Sequence, residues 1–249
     1  MNLIHDIVLT NRNIVSKSFK LAAENWKIFL VGIAYLFIMP IMGIVVSYAG
    51  ILGGIIISIF QSAIVSNYLY LIENIINYGR FTIEDFKSGF TVYLWKTYSI
   101  FIFFYLVSWG KNLFLDPFIS SFGIMGFYMQ IAIIIAAFVM LNTIPEVIYQ
   151  KHYERLDIIT YSFDFIKENF LEWFIPNGLI FAIAYIVHIS TSKIIFLIGF
   201  NTSFIISNII RAIIYQLILS YAMIYRGHLF KILSTSTRRK RMFMRDMYR

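Results

Sequence analysis

The chain has 249 residues, 59% of them hydrophobic and only 14% charged, with a formal net charge of +8 and a mean hydropathy of +0.75. A soluble domain carries about 25% charged residues and could not hide several long uncharged runs without exposing large apolar patches, so a water-soluble globule is excluded. No cysteine is present, which removes disulfides, thiolate metal sites and cysteine nucleophiles together.

The first 27 residues carry Asp6 and Glu24 among their basic groups and lack an apolar core followed by a small-residue cleavage site, so no cleavable signal peptide is expected. Apolar side chains recur there at helical spacing (Val15, Phe19, Ala22, Trp26), with charge on the opposite face. Such a helix is too polar to span and belongs in the headgroup plane. Residues 28–72 then contain no charged side chain. A bilayer core about 30 Å thick needs roughly 20 apolar residues per helix, so this run reads as two spans joined at Gly50-Ile51-Leu52-Gly53-Gly54.

The spans are predicted at about Ile28 to Ala49, Ile51 to Ile76, Thr97 to Leu115, Pro117 to Pro145, Phe174 to Phe200 and Thr202 to Arg226. Pro40 should kink the first, whereas Pro117 and Pro176 suit the first turns of the fourth and fifth. The third is short between Lys96 and Lys111 and needs both lysines to snorkel. Segments 1–27, 77–97, 146–173 and 226–249 hold 18 of the 21 basic residues; Lys111 and Lys193 fall in the other turns and Arg211 inside a span. This bias puts both termini and the longer loops in the cytoplasm. The expected fold is all-α and polytopic, with six transmembrane helices arranged as three hairpins, each preceded by a cytoplasmic interfacial amphipathic helix. It forms one integral domain over residues 1–233, followed by a basic tail.

SFKLAAENWKIF (Ser18 to Phe29) matches SFDFIKENFLEW (Ser162 to Trp173) in its Ser, Phe, Glu and Asn, and ends on aromatics at the same two places. In the second copy the apolar stripe reads Leu156, Ile159, Phe163, Ile166, Phe170 and Trp173. A fainter copy starts at Thr82, whose T-x-x-D pattern with Asp85 forms a capping box, and runs through Phe86, Phe90 and Tyr93. The chain thus reads as three units, about 15–77, 82–149 and 156–226. Phe19, Trp26, Phe163, Phe170 and Trp173 are its expected interfacial anchors.

An amphipathic "ENW" or "ENF" helix leading into a hairpin resembles the six-helix membrane domain found beside some glycerophosphodiester phosphodiesterases and in uncharacterised Firmicutes membrane proteins. The resemblance implies an accessory module of a bacterial cytoplasmic membrane. It transfers no catalytic residue, because the phosphodiesterase chemistry of the fused relatives belongs to a separate soluble domain.

An intramembrane charge is by default a functional hypothesis. Arg211, His188, Gln130 and Gln61 fall at comparable depths and define a candidate polar cluster for an anionic headgroup or a pathway; the plainer reading is that Arg211 snorkels or bonds helix carbonyls. Arg238, Arg239, Lys240 and Arg241 suit anionic lipid, or simply anchor the topology. Glu146, His152 and Glu154 form the one cluster of acids and imidazole, expected on a solvated loop, and Glu73 is expected to be wet. No H-E-x-x-H, G-x-S-x-G or phosphate-binding loop occurs, and no cofactor, metal or nucleic acid is expected. The leading expectation is a non-enzymatic membrane module that binds lipid or a partner, or moves a hydrophobic substrate. The alternatives are the permease subunit of an exporter working with a separate ATPase, and an intramembrane enzyme using His188 and Arg211.

Overall fold

The long apolar runs leave the backbone no partner but itself, and in the computed structural model, which describes residues 3–197 and 204–236, every element among the described residues is helical. The order is α1 (Leu3–Glu24), α2 (Lys27–Ser47), α3 (Gly53–Tyr78), α4 (Ile83–Val92), α5 (Leu94–Gly110), a π-turn (Lys111–Leu115), α6 (Asp116–Ser120), α7 (Ile124–Met140), α8 (Ile144–Gln150), α9 (Leu156–Leu197) and α10 (Phe204–Thr235). Six stretches are long and apolar enough to cross a membrane: Lys27–Ser47, Gly53–Tyr78, Leu94–Ser120, Ile124–Gln150, Leu156–Ile195 and Ile206–Thr235. We call basal the end where α1, α4, the start of α9 and the close of α10 gather, and distal the end that holds the turns 48–52 and 121–123.

Several boundaries differ from the sequence reading. The third stretch runs to Ser120 rather than Leu115, because the two charges that suggest a turn neutralise each other inside it. The wide π-turn stacks residues five apart, and Lys111 Nζ lies 2.7 and 2.8 Å from the two Asp116 carboxylate oxygens. The chain reverses instead at Ser121–Gly123, where Gly123 takes φ +58°, a conformation other residues adopt at a cost. Pro117 therefore opens α6, not the next span. Pro40 sits within α2, which continues as one helix from Lys27 to Ser47. Beyond Arg226, α10 continues to Thr235.

Helical geometry is interrupted at three basal junctions. Between α1 and α2 the Asn25 amide donates to Leu21 O (2.9 Å) and to Gly79 O (2.8 Å). At the matching place in α9, Asn169 leaves helical geometry (φ −122°, ψ 21°) and its amide donates to Phe165 O at 3.1 Å. Between α4 and α5 the break is at Tyr93 (φ −111°, ψ 11°), and Thr82 and Asp85 form the reciprocal capping box at the start of α4. Ser18 and Ser162 are both fully buried. On α1 the face turned inward is Ile14, Ser18, Ala22 and Asn25, while Val15, Phe19 and Trp26 are exposed beside it.

The core is basal. Leu71, Ile72 and Ile75 of α3, Val147 of α8, Ile166 and Trp173 of α9, and Leu229 and Phe230 of α10 are all fully buried in one cluster. Phe230 packs its ring 4.6 Å from Phe165 and 6.3 Å from Trp173. A third (33%) of the apolar window of α3 is buried, against 6% for each stretch of the second hairpin, so α3 is the central post and that hairpin the periphery.

Candidate functional site

Two features share the basal half: a layer of buried polar groups and an apolar cavity above it. The layer begins with α8, a two-turn helix opened by Pro145, which needs no N–H at that position. Its Ile144, Val147 and Ile148 pack into the core and carry Glu146 inward with them, to full burial. Arg226 meets that carboxylate with two bonds, Nε to Oε1 at 2.7 Å and Nη2 to Oε2 at 3.0 Å, while Nη2 also donates to Asn142 O at 2.6 Å. The guanidinium lies 5.0 Å from the Trp173 ring centre, and the Trp173 indole N–H donates to Asn142 Oδ1 at 3.0 Å. Each charge is thus paired and hydrogen-bonded, the condition under which a buried ion pair is tolerated. Thr143 and Ser162 close the layer with a hydroxyl contact of 2.8 Å.

A second carboxylate, Glu73, accepts a short hydrogen bond from the Tyr93 hydroxyl. Burial first, then this bond, holds the Tyr93 phenol protonated well above its ordinary range. His152, Lys96 and Lys231 lie near enough to Glu73 to act on it electrostatically. Lys96 Nζ donates to Lys151 O at 3.4 Å, and Lys231 Nζ to Asn77 Oδ1 at 2.8 Å. The Lys151 ammonium sits 5.5 Å from the Tyr161 ring centre and 5.9 Å from that of Phe230, and its burial pulls its pKa below the usual lysine value.

The cavity, about 510 Å3, lies between α2, α3, α5, α8 and α10. Its wall is almost wholly aliphatic and aromatic, with Tyr35, Tyr68, Thr97 and Gln216 as the polar exceptions. All four are tied down: Tyr35 donates to Asn67 Oδ1 (2.7 Å), Thr97 to Ser62 O (3.0 Å), and Gln216 to Tyr68 Oη (3.2 Å) and Ser220 Oγ (3.1 Å). Leu36 and Leu219, both lining residues, are 46% and 49% exposed, so the cavity wall reaches the lateral surface of the bundle.

No hydrogen bond among the described residues joins the four residues of the expected intramembrane cluster to one another. Gln130 donates to Asp116 Oδ1 at 3.5 Å, beside the Lys111 pair. His188 bonds the Tyr215 hydroxyl, one turn from Arg211 on α10, and stacks on that ring. Arg211 Nε is buried without a hydrogen-bond partner among the described residues, and no hydrogen bond there links Gln61 to the other three. Of the anchors, Phe19, Trp26 and Phe170 are exposed and Phe163 half-buried, but Trp173 is fully buried: its indole N–H and ring face belong to the ion-pair layer, not the interface. Arg238, Arg239, Lys240 and Arg241 lie outside the described residues. Glu146 is no loop residue, and Glu73 is half-buried rather than wet. The signal for Glu146 is Pro-Glu followed by Val-Ile, a helix start that carries its acid between apolar neighbours.

Fold and layer together define a polytopic α-helical membrane protein. No family model matches the chain, and neither a curated protein nor a solved structure does.

Proposed function

We propose that this chain is a non-catalytic module of a bacterial cytoplasmic membrane, with its basal end and both termini in the cytoplasm, that holds a single lipid by its acyl chain. Three duplicated units, each an interfacial helix and a hairpin, would supply the frame. The supporting observation is the apolar cavity at the lateral surface, whose 510 Å3 falls in the range of about 300–1,000 Å3 typical of small-molecule sites. An acyl chain entering from the bilayer leaves surroundings as apolar as those it meets, so burial alone gives little preference. Selection then falls to the fixed hydroxyls and amide of Tyr35, Tyr68, Thr97 and Gln216, and to whatever the headgroup touches.

The test is native mass spectrometry of the purified chain after delipidation and exchange into defined phospholipid. One lipid retained per chain is expected, and lost in L36W and L219W, which fill the mouth from exposed positions. Equal retention in these variants, with both still monodisperse, would remove the reading. A second reading, docking of a separate ATPase, draws support from a basal groove of about 970 Å3 between the start of α9 and the end of α10, lined by Asp164, Lys167, Glu168 and Thr235. Co-purification of an ATPase that is abolished by reversing Lys167 and Glu168 would favour it.

A further inference from the structure

Lys96 is the chain neighbour of Thr97, which lines the cavity, and Lys151 and His152 follow Ile148, another lining residue, by about one helical turn. Lys96 and His152, two of the residues that act on Glu73, are thus within about a turn of the cavity wall along the chain. The lysines here are underused. Among the described residues, none of Lys96, Lys151, His152 and Lys231 has a carboxylate within ion-pair distance; the four ion pairs present join Lys20 to Glu24, Lys111 to Asp116, Lys167 to Asp164 and Arg226 to Glu146. Glu73 is the acid on which Lys96 and Lys231 act, and its carboxylate is engaged by Tyr93. What the lysines do bind is neutral: a backbone carbonyl, an asparagine oxygen and aromatic faces. Two ammonium groups, those of Lys96 and Lys231, against one hydrogen-bonded carboxylate leave an excess of positive charge around Glu73.

We propose that the occupant of the cavity is a phospholipid whose phosphate docks on Lys96 and Lys231, with Lys151 and His152 at its flank. This rests on the acyl-chain reading above and adds the headgroup chemistry to it. Lys96 is half-buried and held against Tyr93 at 5.8 Å from the ring centre, so it is already positioned rather than free in solvent.

The experiment compares three probes on the delipidated protein by native mass spectrometry: phosphatidylglycerol, diacylglycerol with the same chains, and inorganic phosphate. The native chain is expected to retain phosphatidylglycerol at least tenfold better than diacylglycerol. The double variant K96Q/K231Q, which keeps most of both stems, should lose roughly 30-fold in phosphatidylglycerol retention while diacylglycerol stays unchanged, as two surface charges near a phosphate imply. K87Q, on the exposed face of α4, serves as the charge control and should change retention less than twofold. Equal retention of the two lipids by the native chain overturns the headgroup assignment and leaves the acyl-chain reading standing. Loss of both lipids in K96Q/K231Q, or in K87Q to the same extent, overturns it as well. Retention of neither lipid by the native chain overturns both. Inorganic phosphate binding as tightly as phosphatidylglycerol, and persisting in L36W, assigns the cations to a soluble phosphate and overturns the lipid source.

Discussion

The basal half of α3, α8 and α10 and the distal part of the second hairpin all belong to stretches apolar enough to cross a membrane, and they do opposite things with their apolar side chains. In the first, side chains interdigitate: Leu71, Ile75, Val147 and Leu229 are fully buried, and polar residues such as Glu146 are admitted where they find a bond. In the second, residues 131–138 of α7 are all exposed, on every side of the helix. Apolar side chains in a bilayer need no burial to be at rest, so hydropathy fixes which residues enter the membrane, while small and polar groups decide which helices adhere. α3 carries such groups at Ser62, Ser66, Asn67 and Asn74; α7 carries Gln130. Ser66 accepts from Tyr93 N at 2.8 Å and donates to Gly89 O at 2.7 Å, and Asn67 donates to Phe86 O at 2.5 Å, which fastens α4 and α5 to α3.

Four substitutions sharpen or break this contrast, all measured by denaturant or thermal unfolding in one detergent. Glu146→Ala strands a buried guanidinium and should cost about 3–5 kcal/mol, and the double change Glu146→Leu with Arg226→Met should recover most of it. If the single change is silent, the basal layer is not what holds α8 to α10. Gly227→Ala comes next, at about 1–3 kcal/mol, since a Cβ there would come 2.1 Å from Ile76 Cδ1 and 2.5 Å from the Tyr149 hydroxyl. Asn169→Ala removes the side-chain bond at the bend of α9 and should cost about 1 kcal/mol; the amphipathic segment then gains helical continuity with the span, visible as slower amide exchange at residues 168–172. Ile134→Ala, on the open face of α7, should stay within about 0.5 kcal/mol. A loss comparable to that of Gly227→Ala would mean that α7 is packed against something in solution and that the contrast is false.

How much of this is legible in the sequence follows from the same physics. The six membrane stretches are readable because each is a long run with little or no charge, a property no tertiary contact can mask. The distal turn of the second hairpin is easily misplaced because Lys111 and Asp116 look like turn markers until a π-turn places them over one another, and sequence spacing at three or four residues does not anticipate a pair at five. Trp173 reads as an anchor because helical periodicity defines a stripe but not which of two adjacent stripes meets protein; on α1 and α9 the inward face is centred on serine, beside the aromatic one. Glu146 and Arg226 read as a loop residue and a helix end because they are 80 residues apart, and their partnership exists only in the packed bundle. The convergence of Lys96, His152 and Lys231 on Glu73 is hidden for the same reason: three separate segments supply these residues.

That 80-residue separation also sets a timetable for biogenesis. A ribosome adding roughly 5–20 residues per second delivers Arg226 about 4–16 s after Glu146 has left the exit tunnel. During that interval Glu146 lacks the guanidinium that pairs with it in the folded bundle. α10, made after α8, thus locks it in place, and a product that stops before Arg226 would display to membrane proteases a short segment that the packed bundle conceals.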